Sequence, residues 1–278
     1  MPTASRSGSL PLLKTRCTMR ALSPESTPAF ASAERTPELS VVIPFYNESP
    51  NIPPLLAELR ETLDRLNLHA EVIAIDDGSS DDSRAVLAAA AAQWPALQLV
   101  VLPRNRGQAV ALWRGLERVR APWIATLDGD GQNPPAELAR LWERREEADL
   151  LVGRRVGRQD SLARKIMSRI ANHVRRALLR DGVSDSGCAL RLFRREVRAS
   201  LPPFRTLYSF IPACAASGGW RIMEVPVAHR PRVAGTANYT FRKMAIFPFL
   251  DTLAFCWVLR RMLDLSPRAD QPEAKIRK

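Results

Sequence analysis

The chain has 278 residues, of which 46% are apolar, so it can bury a large core and form one large domain with an appendage. Its formal charge of +12 at pH 7 indicates an anionic partner, which is nucleic acid, an acidic membrane surface or a phosphorylated substrate. The four cysteines are widely spaced, which argues against a paired zinc motif or a disulfide framework and favours a reducing cytoplasm.

The two ends of the chain differ in composition from the middle. Residues 1–37 are rich in Ser, Pro, Thr and Ala and lack the apolar stretch of a secretory signal, so we predict a disordered leader. Met19 is an alternative start within it. We predict a folded domain over residues 38–240, an apolar and basic helix over 241–265 and a disordered tail over 266–278.

From residue 39 onwards, short apolar runs alternate with helical patterns. Strands are predicted at residues 39–45, 71–75, 97–102, 123–127 and 149–152. Helices are predicted at residues 55–68, 83–94, 108–119 and 135–145. This alternation predicts an α/β fold with an open, mostly parallel sheet and helices on both faces. A further strand is predicted at residues 220–227, in a mixed region that we expect to close over a ligand crevice.

Polar residues follow three of these strands. They are Asn47, Glu48, Asp76, Asp77, Asp128 and Asp130. Ligands of open α/β sheets bind beyond the carboxyl ends of the strands, so these side chains are predicted to converge on one crevice.

Asp128, Gly129 and Asp130 place two carboxylates directly after an apolar strand. Mg²⁺ is typically held by one or two carboxylates together with substrate phosphates. A solvated turn is the alternative for an isolated Asp-Gly-Asp. The neighbouring acidic strand ends favour a metal bound to a diphosphate.

The sequence Asp76-Asp77-Gly78-Ser79 precedes the helix predicted at residue 83. One interpretation is a helix cap, because Asp and Ser side chains satisfy free N-terminal amides. Since Asp76 and Asp77 lie before the cap, one of them is available to accept a hydrogen bond from the ring N–H of a uracil or guanine base.

Residues 153–180 contain nine basic side chains and one acidic one, Asp160. Arginine suits phosphate because its planar fork donates two parallel hydrogen bonds. A solvated helical face is the alternative, which we favour for Arg158, Arg175 and Arg176. The three histidines are scattered without metal-ligand spacing, so we predict structural or exposed positions for them.

Several ordered motifs resemble family 2 glycosyltransferases of the GT-A (Rossmann-like) fold. They are IPFYNE at 43–48, DDGS at 76–79, RNRGQ at 104–108 and DGDGQNPP at 128–135. More narrowly, DSGCALRLFR at 185–194 and EVPV at 224–227 resemble the branch of dolichyl-phosphate mannosyltransferases and undecaprenyl-phosphate glycosyltransferases. The resemblance covers residues 39–240 and implies a GT-A domain followed by C-terminal amphipathic helices.

The resemblance implies roles for individual residues. Those at nucleotide-binding positions are Pro44, Tyr46, Glu48, Ile75, Asp77 and Gly129, with Asp77 on the base. Asp128 and Asp130 match ligands of Mg²⁺ or Mn²⁺, and Gln132 matches a residue beside the donor sugar. Those at phosphate-binding positions are Arg155, Arg169 and Arg232, and Asn238 stands where relatives usually carry Lys. Asp130, Gln132, Arg155 and Arg169 are the predicted catalytic set.

The implied activity is inverting transfer of a sugar from a UDP- or GDP-linked donor to a polyprenyl phosphate. An ionised phosphate acceptor needs no general base, whereas a sugar hydroxyl acceptor, the alternative within the family, needs a carboxylate base. A nucleic-acid-binding module is disfavoured, because acidic strand ends without metal repel a phosphate backbone. A catalytically silent interaction protein is disfavoured by the intact Asp128 and Asp130.

Residues 244–259 are strongly apolar but contain Pro248 and Asp251. The stretch is shorter than the roughly 20 residues that span a bilayer, so we do not predict a transmembrane helix here. Basic residues flank the stretch on both sides, which favours an interfacial helix on an anionic membrane. The predicted location is therefore cytoplasmic, peripheral at the inner face of the cell membrane. The alternatives are a helix packed on the domain or a contact in a homo-oligomer.

Overall fold

In this computed structural model, residues 36–156, 178–179, 181–231, 241–259 and 261 are described, all within the unit Thr36–Lys278. The strands are β1 Leu39–Phe45, β2 Ala70–Asp76, β3 Leu97–Val101, β4 Trp123–Thr126, β5 Leu150–Val156, β6 Arg191–Arg194 and β7 Ile222–Ala228. They form one sheet in the order β3-β2-β1-β4-β6-β5-β7. Strand β6 is antiparallel to both β4 and β5, and the other pairings are parallel. The predicted mostly parallel α/β sheet is confirmed.

The helices lie on both faces of the sheet, as predicted. They are α1 Ile52–Arg65, α2 Ser83–Gln93, α3 Gln108–Leu116, α4 Leu138–Glu143, α5 Leu207–Ser217 and α6 Phe241–Leu259. One core cluster joins α1, α2 and α4 to the sheet, and a second joins α3, α5 and Phe255 of α6 to the opposite face. Strand β1 is buried along nearly its whole length because its apolar residues meet helices on both sides.

Several elements differ from the sequence prediction. Strand β6 and helix α5 were not predicted. The single helix expected at residues 135–145 is instead the short α4 between two 3₁₀ turns, Pro135–Glu137 and Arg145–Glu147. Strand β5 continues to Val156, so Arg154 and Arg155 are strand residues paired with β7.

Helix α6 packs on the domain through Phe255, which is fully buried and stacks on Phe210 at a ring distance of 4.2 Å. Leu250, Leu253 and Trp257 of the same helix are exposed. Among the described residues, no helix combines the length and the hydropathy needed to cross a bilayer. The predicted leader, apart from its last two residues, and the tail lie outside the described residues.

Candidate active site

The carboxyl ends of β1 and β2 are joined by hydrogen bonds between the loops that follow them. The backbone N–H of Glu48 donates to the Ser83 hydroxyl at 2.9 Å, and that of Ser49 donates to Asp81 at 3.1 Å. The N–H of Asp77 also donates to the Phe45 carbonyl at 2.9 Å. These bonds fix the predicted crevice at this edge of the sheet.

Asp77 organises the loop before α3. It is 2% exposed, and its two carboxylate oxygens accept the backbone N–H groups of Arg106 and Gly107, each at 2.8 Å. Burial raises the pKa of Asp77, and these two hydrogen bonds oppose the rise. Asp76 makes one such bond, from the N–H of Ser79 at 3.1 Å. The base contact predicted for Asp77 stays a prediction, and a carboxylate retains lone pairs for it.

Gln108, the first residue of α3, extends this arrangement to the acidic pair. Its side-chain amide donates to Asp128 at 2.6 Å. The Asp77 carboxylate holds the two amides just before Gln108 and therefore supports a side chain that orients Asp128. No role was predicted for Gln108 from the sequence.

Asp128 and Asp130 follow β4, with Gly129 between them packed on the end of β1. A Cβ on Gly129 would lie 2.4 Å from the Phe45 ring and 2.9 Å from the Pro44 carbonyl oxygen, so glycine permits the close approach. Burial and then the charge of Asp130 raise the pKa of Asp128 to about 6. Two neighbouring carboxylates at a strand end suit a hard divalent cation.

No group of three or more metal-ligand side chains occurs among the residues that the structure describes. A cation on Asp128 and Asp130 would take its other ligands from phosphate oxygens and water, as Mg²⁺ commonly does.

The remaining residues with predicted nucleotide roles differ in exposure. Tyr46 is 46% exposed at the crevice edge, and Pro44 is half-buried. The carboxylate of Glu48 accepts the side-chain amide of Asn51 at 2.5 Å. The side chain of Ile75 is fully buried against α3, so a nucleotide contact at this position would use its backbone.

Arg155, at the end of β5, is held by an acidic residue from the loop before β6. Its Nε and Nη2 donate to the two oxygens of Asp185 at 2.8 and 2.7 Å, and its backbone N–H donates at 3.1 Å. Glu224 of β7 in turn accepts the backbone N–H of Asp185 at 3.0 Å and that of Ser184 at 2.8 Å. A Cβ on Gly187 would lie 2.9 Å from Arg155 Nη2, so the guanidinium rests on this glycine.

A small cavity of about 60 Å³ lies beside the acidic pair. Its polar lining includes Gln108, Asp128, Arg191 and Tyr208. Arg191, the first residue of β6, is 2% exposed, and no role was predicted for it from the sequence. The described structure therefore adds a second arginine to the surroundings of Asp128.

Gln132 lies beside Asp130, because its backbone N–H donates to that carboxylate at 3.1 Å. Its carbonyl accepts the N–H of Arg230 at 2.8 Å, which ties this loop to the end of β7. The predicted residues Arg169, Arg232 and Asn238 lie outside the described residues, so their roles stay predictions.

The family model described as Glycosyl transferase family 2 matches residues 40–201, which is more than half of the chain. The chain belongs to glycosyl transferase family 2. The matched region of this family 2 chain includes Asp77, Asp128, Asp130, Arg155 and Arg191.

Two curated relatives of this family 2 chain are named undecaprenyl-phosphate 4-deoxy-4-formamido-L-arabinose transferase. The protein from Klebsiella pneumoniae (strain 342) is 38% identical over 209 residues, and that from Photorhabdus laumondii is 38% identical over 216. The alignments cover 74% and 77% of this chain and 64% and 66% of the relatives. The chain thus spans just under two thirds of the length of these relatives.

Solved structures share the fold. Glucosyl-3-phosphoglycerate synthase from Mycobacterium tuberculosis, in complex with Mn²⁺, UDP and phosphoglyceric acid, has a TM-score of 0.61 and 20% identity, covering 79% of this chain and 78% of its own. A mannosyltransferase from Pyrobaculum calidifontis, in complex with GDP-Man and Mn²⁺, has a TM-score of 0.58 and 20% identity. The match covers 81% of this chain and 69% of the mannosyltransferase. At this identity the likeness concerns the fold alone.

Proposed function

We propose that this chain transfers a sugar from a nucleotide-sugar to a polyprenyl phosphate at the cytoplasmic face of a membrane. The observation that carries the proposal is the pair Asp128 and Asp130 at the carboxyl end of β4, with Gln108 orienting the first carboxylate and Arg155 close enough to affect its pKa. Family membership and the undecaprenyl-phosphate relatives support the acceptor class.

Asp128 and Asp130 would hold Mg²⁺ or Mn²⁺, and both metals accompany nucleotides in structures with this fold. When bound, such a cation neutralises the charge that develops on the diphosphate leaving group. Asp77 and the loop that it fixes would bind the nucleoside, and Gln132 would lie beside the donor sugar.

The reaction that fits these groups is an in-line displacement. A phosphate oxygen of the acceptor attacks the anomeric carbon, the bond from that carbon to the nucleoside diphosphate breaks, and the configuration inverts. The acceptor oxygen is already ionised, so the chain needs no general base for this step. Arg155 would stabilise phosphate charge, with its direction set by Asp185.

The membrane assignment is supported by α6. Leu250, Leu253 and Trp257 are exposed, and Arg261 lies 5.3 Å from the centre of the Trp257 ring. Exposed apolar side chains beside a basic residue suit the interface of an anionic leaflet.

The test is a transfer assay with the purified chain, Mg²⁺ or Mn²⁺, and a panel of UDP- and GDP-linked sugars. Each donor is offered to a polyprenyl phosphate, to the corresponding polyprenol and to an oligosaccharide. Transfer to the phosphate alone, with inversion seen by NMR, is the expected result. Transfer only to a hydroxyl acceptor would contradict the proposal and favour polysaccharide synthesis.

A further inference from the structure

Arg191 is among the largest fully buried side chains of the described structure. It begins β6 between β4 and β5, opposite Thr126 on one side and Val152 on the other. Moving a guanidinium out of water is costly unless its donors and its charge are compensated. The groups around Arg191 must therefore compensate its donors and its charge.

The hydrogen bonds of Arg191 are incomplete. Its Nη2 donates to the Ser186 carbonyl at 2.8 Å, which helps to shape the loop before β6. Its Nε is buried and has no hydrogen-bond partner within residues 36–156 and 181–231. Buried donors are nearly always paired in folded proteins. A purely structural arginine at this position would leave that donor without an acceptor.

Arg191 lines the cavity beside the acidic pair, together with Asp128 and Gln108. The Asp128 oxygen Oδ1 accepts the Gln108 amide, and no ion pair between Asp128 and Arg191 occurs in the described part of the chain. The positive charge of Arg191 therefore acts across the cavity.

The charge balance of this cluster favours an anion. Asp128, Asp130 and Asp185 carry three negative charges, and Arg155 and Arg191 carry two positive ones. The net charge of these five side chains is −1, and a divalent cation on Asp128 and Asp130 changes it to +1. The loaded site then attracts a further anionic group, and the guanidinium that lines the cavity can donate hydrogen bonds to one of its oxygens.

We propose that Arg191 is a phosphate-binding residue, whose guanidinium donates hydrogen bonds to a phosphate oxygen of the substrates in the cavity that it lines with Asp128. The inference rests on the proposed function, because the oxygen comes either from the diphosphate of the donor or from the phosphate of the lipid acceptor. Arg191 thereby joins Arg155 as a second positive group beside the metal-binding pair.

The test compares Arg191→Met, which removes the charge at similar length, with Arg191→Lys, which keeps the charge without the fork. Arg198→Met is the matched control, because Arg198 also donates to a backbone carbonyl, that of Leu116 at 2.6 Å, at the far end of α3. One arm measures binding of UDP and GDP with Mn²⁺ by calorimetry. The other measures the KM for a polyprenyl phosphate in the full-length chain.

Arg191→Met is expected to weaken either the binding of UDP and GDP or the apparent affinity for the polyprenyl phosphate by about tenfold or more. The ligand whose affinity falls is the source of the phosphate that Arg191 binds. Arg191→Lys should retain part of the affinity, and Arg198→Met should change neither arm. A folded Arg191→Met variant with unchanged values in both arms would overturn the inference. If Arg191→Met does not fold, Arg191→Lys decides in the same way: weakening of either arm supports the proposal and two unchanged arms refute it.

Absence of lipid transfer by the wild-type chain would instead refute the proposed function. The nucleoside diphosphate arm would then decide alone on Arg191, because that binding measurement does not require catalysis.

Discussion

Arg155 and Asp185 form a two-point ion pair, in which Nε and Nη2 of the arginine each donate to a different oxygen of the carboxylate. Both side chains are largely buried, with 15% and 10% of their surface exposed. Burial would lower the pKa of Arg155, but the hydrogen bonds and charge of Asp185 raise it instead. The guanidinium is thus held charged and in one direction.

Asp185→Asn should lower sugar transfer by about tenfold, because the amide cannot hold the arginine at two points. Arg155→Ala and Arg169→Ala should each lower transfer by about ten- to a hundredfold, through loss of a charge-assisted phosphate contact. Lys at either arginine position should restore only part of the lost transfer activity. A radiolabelled transfer assay checks these values, and full activity of the double alanine variant would contradict the phosphate role.

Asp130→Asn should reduce turnover by about tenfold or more while the fold stays intact, because a metal ligand loses its charge. Excess chelator should abolish the activity of the unaltered chain, and Mg²⁺ or Mn²⁺ should restore it. Asp64→Asn, the same change on the exposed side of α1, is the control and should have no effect. Undiminished turnover in chelator would refute the metal site.

Asp77→Ala should weaken nucleotide binding and lower the free energy of unfolding by about 1–3 kcal/mol, because the Arg106 and Gly107 amides lose their acceptor. Asp76→Ala removes one amide contact instead of two and should have the smaller effect. Calorimetry with UDP and GDP and denaturation in urea measure the two effects. Unchanged nucleotide affinity in Asp77→Ala would remove the base assignment.

The stability of the metal-free chain should depend on Asp128. Burial and the charge of Asp130 raise its pKa from 3.8 to about 6, so the folded state binds this proton more tightly than the unfolded chain does. The protonated Asp128 therefore contributes to the free energy of unfolding. This contribution is complete below the pKa that Asp128 has in the unfolded chain, and it is lost as the pH rises through about 6.

In chelator, the free energy of unfolding contributed by this group should therefore fall by about 1–3 kcal/mol between about pH 4 and pH 7. Asp128→Asn should lack this component, and denaturation curves at several pH values compare the two. Identical pH dependence in both proteins would show that Asp128 does not titrate in this range.

Trp257→Ser should weaken binding to anionic vesicles by about tenfold, because an exposed aromatic side chain would no longer enter the interface. Val101→Ser is the control, since Val101 is also an exposed apolar residue but lies at the end of β3. Vesicle flotation measures both. Equal binding of the two variants would argue against α6 as the membrane contact.

Much of the sheet was predictable because β1 and β2 are apolar runs that are buried between helices, and β3 is a mainly apolar run at the edge of the sheet. The boundaries predicted for β1 match those observed. Strand β6 was missed because it is a four-residue segment, Arg191–Arg194, with arginine at both ends. Its burial arises from the strands on either side, which local composition does not reveal.

The site was partly predictable for a similar reason. Acidic residues at strand ends meet at one edge of any parallel sheet, so Asp77 and Asp128 were accessible to sequence reasoning. The contact between Arg155 and Asp185 was not, because it joins a residue of β5 to one 30 positions later in the loop before β6, and their adjacency is known only from the topology. The hydrogen bond from Gln108 to Asp128 was not predictable either, because only the topology brings these two residues together.

The reversed direction of β6 has a consequence for how such a chain diversifies. Strand β5 ends at Val156 and β6 begins at Arg191, opposite Val152, so the intervening segment leaves and rejoins the sheet at the same edge. Arg155, near the end of β5, and Asp185, shortly before β6, form their ion pair at this edge. The sheet, and not the number of residues between the two strands, therefore sets the distance between these two side chains. Family members that differ in the length of chain between these strands can keep the ion pair as long as both residues stay.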